Sequence, residues 1–204
     1  MYEPRVPTTV LVAAPGKRIS RARDLVGKRI GLDSLNNISH IALQRWLERG
    51  GVSPEDVDIA TLPFAQMIPP LVHGQLDAAW LPEPWATQAL QRGARTIAYP
   101  FDAVCSQDCL LTVYIAQRNV DPDLAARFRN AVQAAAVWAN RKRNQAASGR
   151  ILGRYAPVDA KVLEKMTRIA YATRLRPRSA QPWIDLFAEY KLIPESFSAT
   201  DLVK

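Results

Sequence analysis

The sequence predicts an α/β fold with a mostly parallel sheet sandwiched between helices. Two observations carry this reading. Residues 28–99 alternate short apolar runs with amphipathic stretches in the order strand, polar loop, helix, strand, helix, strand, helix, strand. The chain also has 204 residues at 48% apolar, with 15 Pro and 9 Gly punctuating the runs, which suffices for one large domain or two small lobes with a buried core. That composition excludes disorder, collagen and coiled coil.

Val6 to Ala14 is β-branched and bounded by proline, and reads as a strand. Ser20 to Gly27 reads as a short helix stopped by glycine, and Lys28 to Leu32 as a buried strand. The polar loop Asp33-Ser34-Leu35-Asn36-Asn37 follows, then Ile38, Ile41, Ala42, Trp46 and Leu47 at helical spacing up to Gly50-Gly51. Ser53-Pro54-Glu55-Asp56 is an N-cap with proline at the first helical position, ahead of the strand Val57 to Thr61. Pro63 to Gln66 leads into a helix Met67 to His73, Leu76 to Leu81 is a strand, Pro82 to Trp85 opens a helix running to Arg92, and Thr96 to Tyr99 is a further strand. Leu110 to Gln117 reads as one more strand, and the rest is helical: Pro122 to Arg143, Ala146 to Tyr155, Asp159 to Thr173 and Ala180 to Tyr190.

The formal net charge is +8, unevenly distributed: +5 over residues 1–29, −5 over 30–113 and +8 over 114–204. An acidic middle third argues against a nucleic-acid groove, so no nucleic-acid partner is expected. Two basic clusters stand apart, Arg141-Lys142-Arg143 and Arg174, Arg176 and Arg178 around Pro177; both read as solvated turns or helix ends. His40 and His73 lie 33 residues apart without Cys or His at ligand spacing, so neither a metal nor a cofactor nor a catalytic set is expected. Cys105 and Cys109 flank a turn and read as free thiols or a small disulfide loop. No run approaches the ~20 apolar residues of a membrane span, and the opening Met1-Tyr2-Glu3-Pro4-Arg5 does not read as a signal peptide.

Several ordered stretches are similar to the solute-binding proteins of ABC importers, in the branch that takes up sulfonates, taurine, nitrate and thiamine-precursor pyrimidines. They are Arg23-Asp24-Leu25-Val26-Gly27-Lys28-Arg29-Ile30-Gly31, Gly50 to Val57, Gly74 to Trp85, and the closing Phe187 to Pro194 with Asp201-Leu202. The resemblance implies a type 2 periplasmic-binding fold, with a small anionic or zwitterionic solute or a pyrimidine held between two lobes and delivered to a membrane permease outside the cytoplasm. By this resemblance residues 15–105 match a complete α/β lobe 2. Residues 1–14 and 106–204 match crossing strands and C-terminal helices of a lobe 1 that lacks its first part, leaving a surface that invites self-association.

In open α/β sheets the ligand site lies outside the carboxyl ends of the strands. Three loops qualify. Ser34, Leu35, Asn36, Asn37 and Ser39 surround a helix start, where free N–H groups favour an anion; helix capping explains the same residues without a ligand. Phe64 and Gln66 follow a strand end, as a ligand face and amide or as a turn aromatic packed on the core. Glu83, Pro84 and Trp85 follow another, and either bracket an amine or ring or simply make a good helix start. Trp46, Trp80, Trp138 and Trp183 read as core. Two other classes share the fold by resemblance: a thiamine-pyrimidine synthase-like enzyme, whose cysteine-rich iron motif is missing here, and the ligand-sensing domain of a transcriptional regulator.

Overall fold

The computed structural model describes residues 7–105, 110–156 and 158–202. Five strands form one sheet: β1 (Thr9–Ala13), β2 (Arg29–Leu32), β3 (Asp58–Thr61), β4 (Ala78–Pro82) and β5 (Arg95–Ala98), in the order β3-β2-β4-β1-β5. β2 pairs parallel with β3 and β4, while β1 runs antiparallel to both β4 and β5. β1 is wholly buried. An inner strand paired on both edges and covered on both faces is predominantly apolar, which Val10-Leu11-Val12-Ala13 supply after Thr9.

The two faces are separated by the two-residue period of the strands. Leu11, Ala13, Ile30, Leu32, Ala78 and Trp80 face one core, covered by Ile41, Leu43 and Leu47 of helix α1 (Ile38–Arg49). Val10, Val12, Ala79 and Leu81 face the other, covered by Met67, Ile68 and Leu71 of α2 (Phe64–Val72) and by Ala86 and Ala89 of α3 (Trp85–Gln91). Gly31 permits the close fit of the second layer, because a Cβ there would lie 2.8 Å from Leu76 Cδ1 and 3.3 Å from Met67 Sδ.

The remaining helices are α4 (Pro122–Asn140), α5 (Gln145–Leu152), α6 (Ala160–Lys165) and α7 (Gln181–Glu189). α7 belongs to the first core. Trp183 and Leu186 are buried in it, and Trp80, Phe101 and Trp183 form an edge-to-face ladder with centroids 5.0 and 5.5 Å apart. At the rim Arg45 pairs with Glu189 and lies over the Tyr190 ring, while Tyr190 donates to Glu48. Burial and the Glu48 carboxylate raise the Tyr190 phenol above its ordinary value.

β4 and β5 supply both hydrogen-bonding edges of β1, so residues 9–13 lie inside the sheet. Four sequence expectations need correction. The strand expected over 110–117 does not form among the described residues. Its backbone has no neighbouring strand, and Tyr114 and Ile115 stand 77% and 91% exposed. The helix expected over 159–173 stops at Lys165, where Met166 turns extended (φ −63°, ψ 147°) and the Thr167 N–H goes to the Glu83 carboxylate instead of an i−4 carbonyl. Trp138, expected in the core, is 38% exposed, and α4 ends at Asn140, ahead of Arg143.

Candidate functional site

The order β3-β2-β4 sets three parallel strands side by side, so their carboxyl ends present residues 33–37, 62–64 and 82–85 along one edge of the sheet. The three candidate loops are therefore neighbours.

The first loop is built around Asn37, the N-cap of α1. Its Oδ1 accepts from the His40 N–H at 3.0 Å, and its Nδ2 donates to Asp33 Oδ2 at 2.7 Å and to Ser34 Oγ at 2.9 Å. The capping reading holds for Asn37, whose amide is engaged in shaping the loop. Asn36 takes the left-handed region (φ 60°), which asparagine tolerates, and its N–H donates to His40 Nδ1 at 3.1 Å. Burial holds the His40 pKa below its ordinary value, consistent with a neutral ring accepting at Nδ1. Ser34, Leu35 and Asn36 are exposed and Ser39 is buried in the first turn. The first N–H groups of α1, at Ile38 and Ser39, have no acceptor within the helix, and the dipole adds partial positive charge there.

The other two loops meet through their aromatics. Phe64 opens α2 and Trp85 opens α3, and their rings stack with centroids 5.5 Å apart at 29°. Both are half-buried. Gln66 is exposed two residues further on, and at about 100° per residue it points to a different side of α2 from Phe64. The structure joins Phe64 to Trp85 and separates Gln66 from the pair.

Glu83 makes the helix-start contacts that one of its two readings gave. Oε2 accepts from the Thr87 N–H at 3.1 Å, and Oε1 accepts from Thr87 Oγ1 at 2.9 Å and from the Thr167 N–H at 3.1 Å. The carboxylate fastens the start of α3 and ties it to the segment after α6. Pro84 is buried and follows a cis peptide bond.

Two polar atoms at this edge are buried without a partner among the described residues, Asp33 Oδ1 and Trp85 Nε1. Asp33 was not among the sequence candidates, although its position directly after β2 marked it. The loops 33–40, 61–67 and 82–88 contain no Lys or Arg and carry two carboxylates, Asp33 and Glu83. No group of three or more His, Cys, Asp or Glu among the described residues is placed to hold a metal. A cavity of about 300 Å³ lies elsewhere, between α2 and α3, lined by Ile68, Val72, His73, Gln88 and Arg92 among others. Cys105 is buried and disulfide-bonded, which settles its state, while Cys109 lies outside the described residues.

The architecture matches that of known proteins. The alkanesulfonate-binding protein SsuA of Xanthomonas axonopodis pv. citri, bound to MOPS, superposes with a TM-score of 0.77 at 20% identity, covering 98% of this chain and 70% of that one. The periplasmic nitrate-binding protein NrtA from Synechocystis PCC 6803 gives 0.66 at 13%, covering 97% and 61%. The desulfurization enzyme DszB gives 0.64 at 16%, covering 96% and 73%, so the fold carries both binding proteins and an enzyme. At these identities the likeness is one of fold, and the chain spans only part of each neighbour. No curated protein matches the sequence. The NMT1-like family matches residues 9–153, and the chain belongs to that family.

Proposed function

We propose that this protein is a solute-binding component of an ABC importer, a binding module that captures a small solute for delivery to a membrane permease outside the cytoplasm. The observation that carries the reading is the alignment of the three loops at the carboxyl ends of β3, β2 and β4, with the Phe64–Trp85 stack beside the start of α1. An aromatic face next to a helix N-terminus suits a solute with an apolar or ring-bearing body and one anionic group. Family membership and the sulfonate- and nitrate-binding neighbours support the same reading. The solute is an anion or zwitterion of the sulfonate, taurine or nitrate kind, or a pyrimidine. Among the candidate residues Ser34, Leu35, Asn36 and Ser39 frame the start of α1, Phe64 and Trp85 supply the aromatic wall, and Asn37, Glu83 and Pro84 hold the wall and loop in shape.

The enzyme alternative with cysteine-ligated iron is not favoured, since a disulfide sulfur such as that of Cys105 offers no thiolate. Among the described residues no helix is long and apolar enough to cross a membrane.

A thermal-shift panel of taurine, alkanesulfonates, nitrate and aminopyrimidines tests the reading, because a ligand that binds the native state raises the unfolding midpoint. One class is expected to raise it, and Trp85→Ala to diminish the rise. Silence from every class overturns the reading.

A further inference from the structure

The loops at the strand ends hold carboxylates but no Lys or Arg, so a full positive charge for an anionic solute has to come from elsewhere in the fold. Two arginines among the described residues are half-buried, Arg45 and Arg168. Arg45 is paired with Glu48 and Glu189, whereas Arg168 has no carboxylate within ion-pair distance among the described residues. A guanidinium drawn partly out of water without an anion is costly, so its place calls for one.

Arg168 stands at the joint between β4 and the segment after α6. The residue before it, Thr167, donates its N–H to Glu83 Oε1 at 3.1 Å, which fixes the backbone beside the start of α3, the turn that carries Trp85. The side chain is fixed as well. Nη2 donates to Ser148 Oγ at 2.6 Å and Nη1 to Met166 Sδ at 3.8 Å, and both anchors are buried. These contacts occupy one N–H on each terminal nitrogen and leave the second on each, with that of Nε, for the oxygens of an anion. Glu83 does not compete for them, because its two oxygens are taken by Thr87 and Thr167.

We propose that Arg168 receives the anionic group of the solute at the strand-end site, while the Phe64–Trp85 stack takes its organic body. The inference rests on the solute-binding reading and narrows it. The solute is an organic anion or zwitterion, such as an alkanesulfonate or taurine, and not an uncharged pyrimidine. A planar fork of donors matches the oxygens of a sulfonate or carboxylate better than a point charge does. Ser148 and Met166 hold the fork in place beforehand, so little side-chain freedom is lost on binding.

Thermal shift of the full chain, titrated with an alkanesulfonate, taurine and an aminopyrimidine, is the test. The alkanesulfonate or taurine is expected to raise the melting midpoint, and Arg168→Gln to need about tenfold more of it for the same rise. Arg168→Lys keeps the charge without the fork and is expected to fall between the two. Lys165→Gln removes the same charge from an exposed position at the end of α6 and is expected to respond like the wild type. A rise that survives Arg168→Gln, a response to the aminopyrimidine and to no anion, or an equal loss in Lys165→Gln overturns the proposal. So does a lower midpoint of Arg168→Gln without solute if the solute-induced rise stays intact, since the countercharge would then lie within the protein. Silence of the wild type toward every solute class overturns the solute-binding reading itself, and this proposal with it.

Discussion

The Glu83 carboxylate accepts the backbone N–H of Thr167 at 3.1 Å across 84 residues of sequence, joining the end of β4 to the segment that follows α6. The same carboxylate takes the N–H and the hydroxyl of Thr87, so one side chain serves the start of α3 and a distant loop. Removing it leaves three donors without their acceptor. Glu83→Ala is expected to lower stability by about 1–3 kcal/mol, with Glu83→Gln losing less because an amide oxygen still accepts. Urea unfolding of the two variants checks this, and an unchanged midpoint in Glu83→Ala would show that the joint contributes nothing.

Trp85 makes a sharper case for the aromatic wall. Its stack on Phe64 contributes about 0.5–1.5 kcal/mol beyond area burial. Trp85→Phe is expected to keep the stack and much of any solute-induced rise in melting midpoint, and Trp85→Ala to lose both. Equal rises in the two variants would remove the ring from the site.

His40 introduces a dependence on pH. Burial depresses its folded pKa below 6.5, so below that value the unfolded chain takes up the proton more readily than the folded one. Its contribution to stability is therefore present above pH 6.5 and lost as the pH falls below it. Melting midpoints at about pH 7.5 and about pH 5.5 are expected to differ less in His40→Gln than in the wild type, histidine being the side chain that titrates there.

The Trp80–Phe101–Trp183 ladder ties α7 to the sheet. Trp80 is 1% exposed, and Trp80→Ala is expected to cost about 3–5 kcal/mol, the range for truncating a large buried aromatic. Phe101→Leu and Trp183→Leu touch one another, so a double-mutant cycle in denaturant is expected to show coupling of about 0.5–1.5 kcal/mol. Additive losses would mean that the rings pack independently.

At the end of α1, Gly50 lies so close to the short helical turn Ala22–Leu25 that a Cβ would sit 2.3 Å from Ala22 Cβ. Gly50→Ala is expected to cost about 1–3 kcal/mol by forcing the two apart. An unaltered thermal midpoint would contradict the close approach.

What was legible in the sequence was local. The β2–loop–α1 unit announces itself through its apolar run, its capping asparagine and its helical spacing, and each of these acts within a few residues. The loops at the strand ends were legible for the same reason. What was hidden depended on partners far away in sequence. Residues 110–117 have the composition of a strand, but a strand needs a neighbour, and none is present among the described residues. Glu83 looked available for a solute because nothing near it hints that Thr167 will arrive. The stretch after Lys165 has helical periodicity that the same contact overrides. Asp33 went unremarked as a site residue because a buried, unpartnered oxygen is visible only once the loop has closed around it.

The place of β1 in the sheet has a consequence for synthesis. Residues 9–13 leave the ribosome ahead of the strands that flank them, residues 78–82 and 95–98, the first of which follows some seventy residues later. Until then the five residues of β1, four of them apolar, have neither edge satisfied, and the sheet cannot close around its own middle. The last step of assembly on this side is an insertion rather than an addition, with β5 able to dock only against a β1 already seated on β4. A chain permuted to start at residue 15, with β1 joined behind β5, would meet its partners in order of synthesis, and refolding it beside the natural order would read out the delay that this topology imposes.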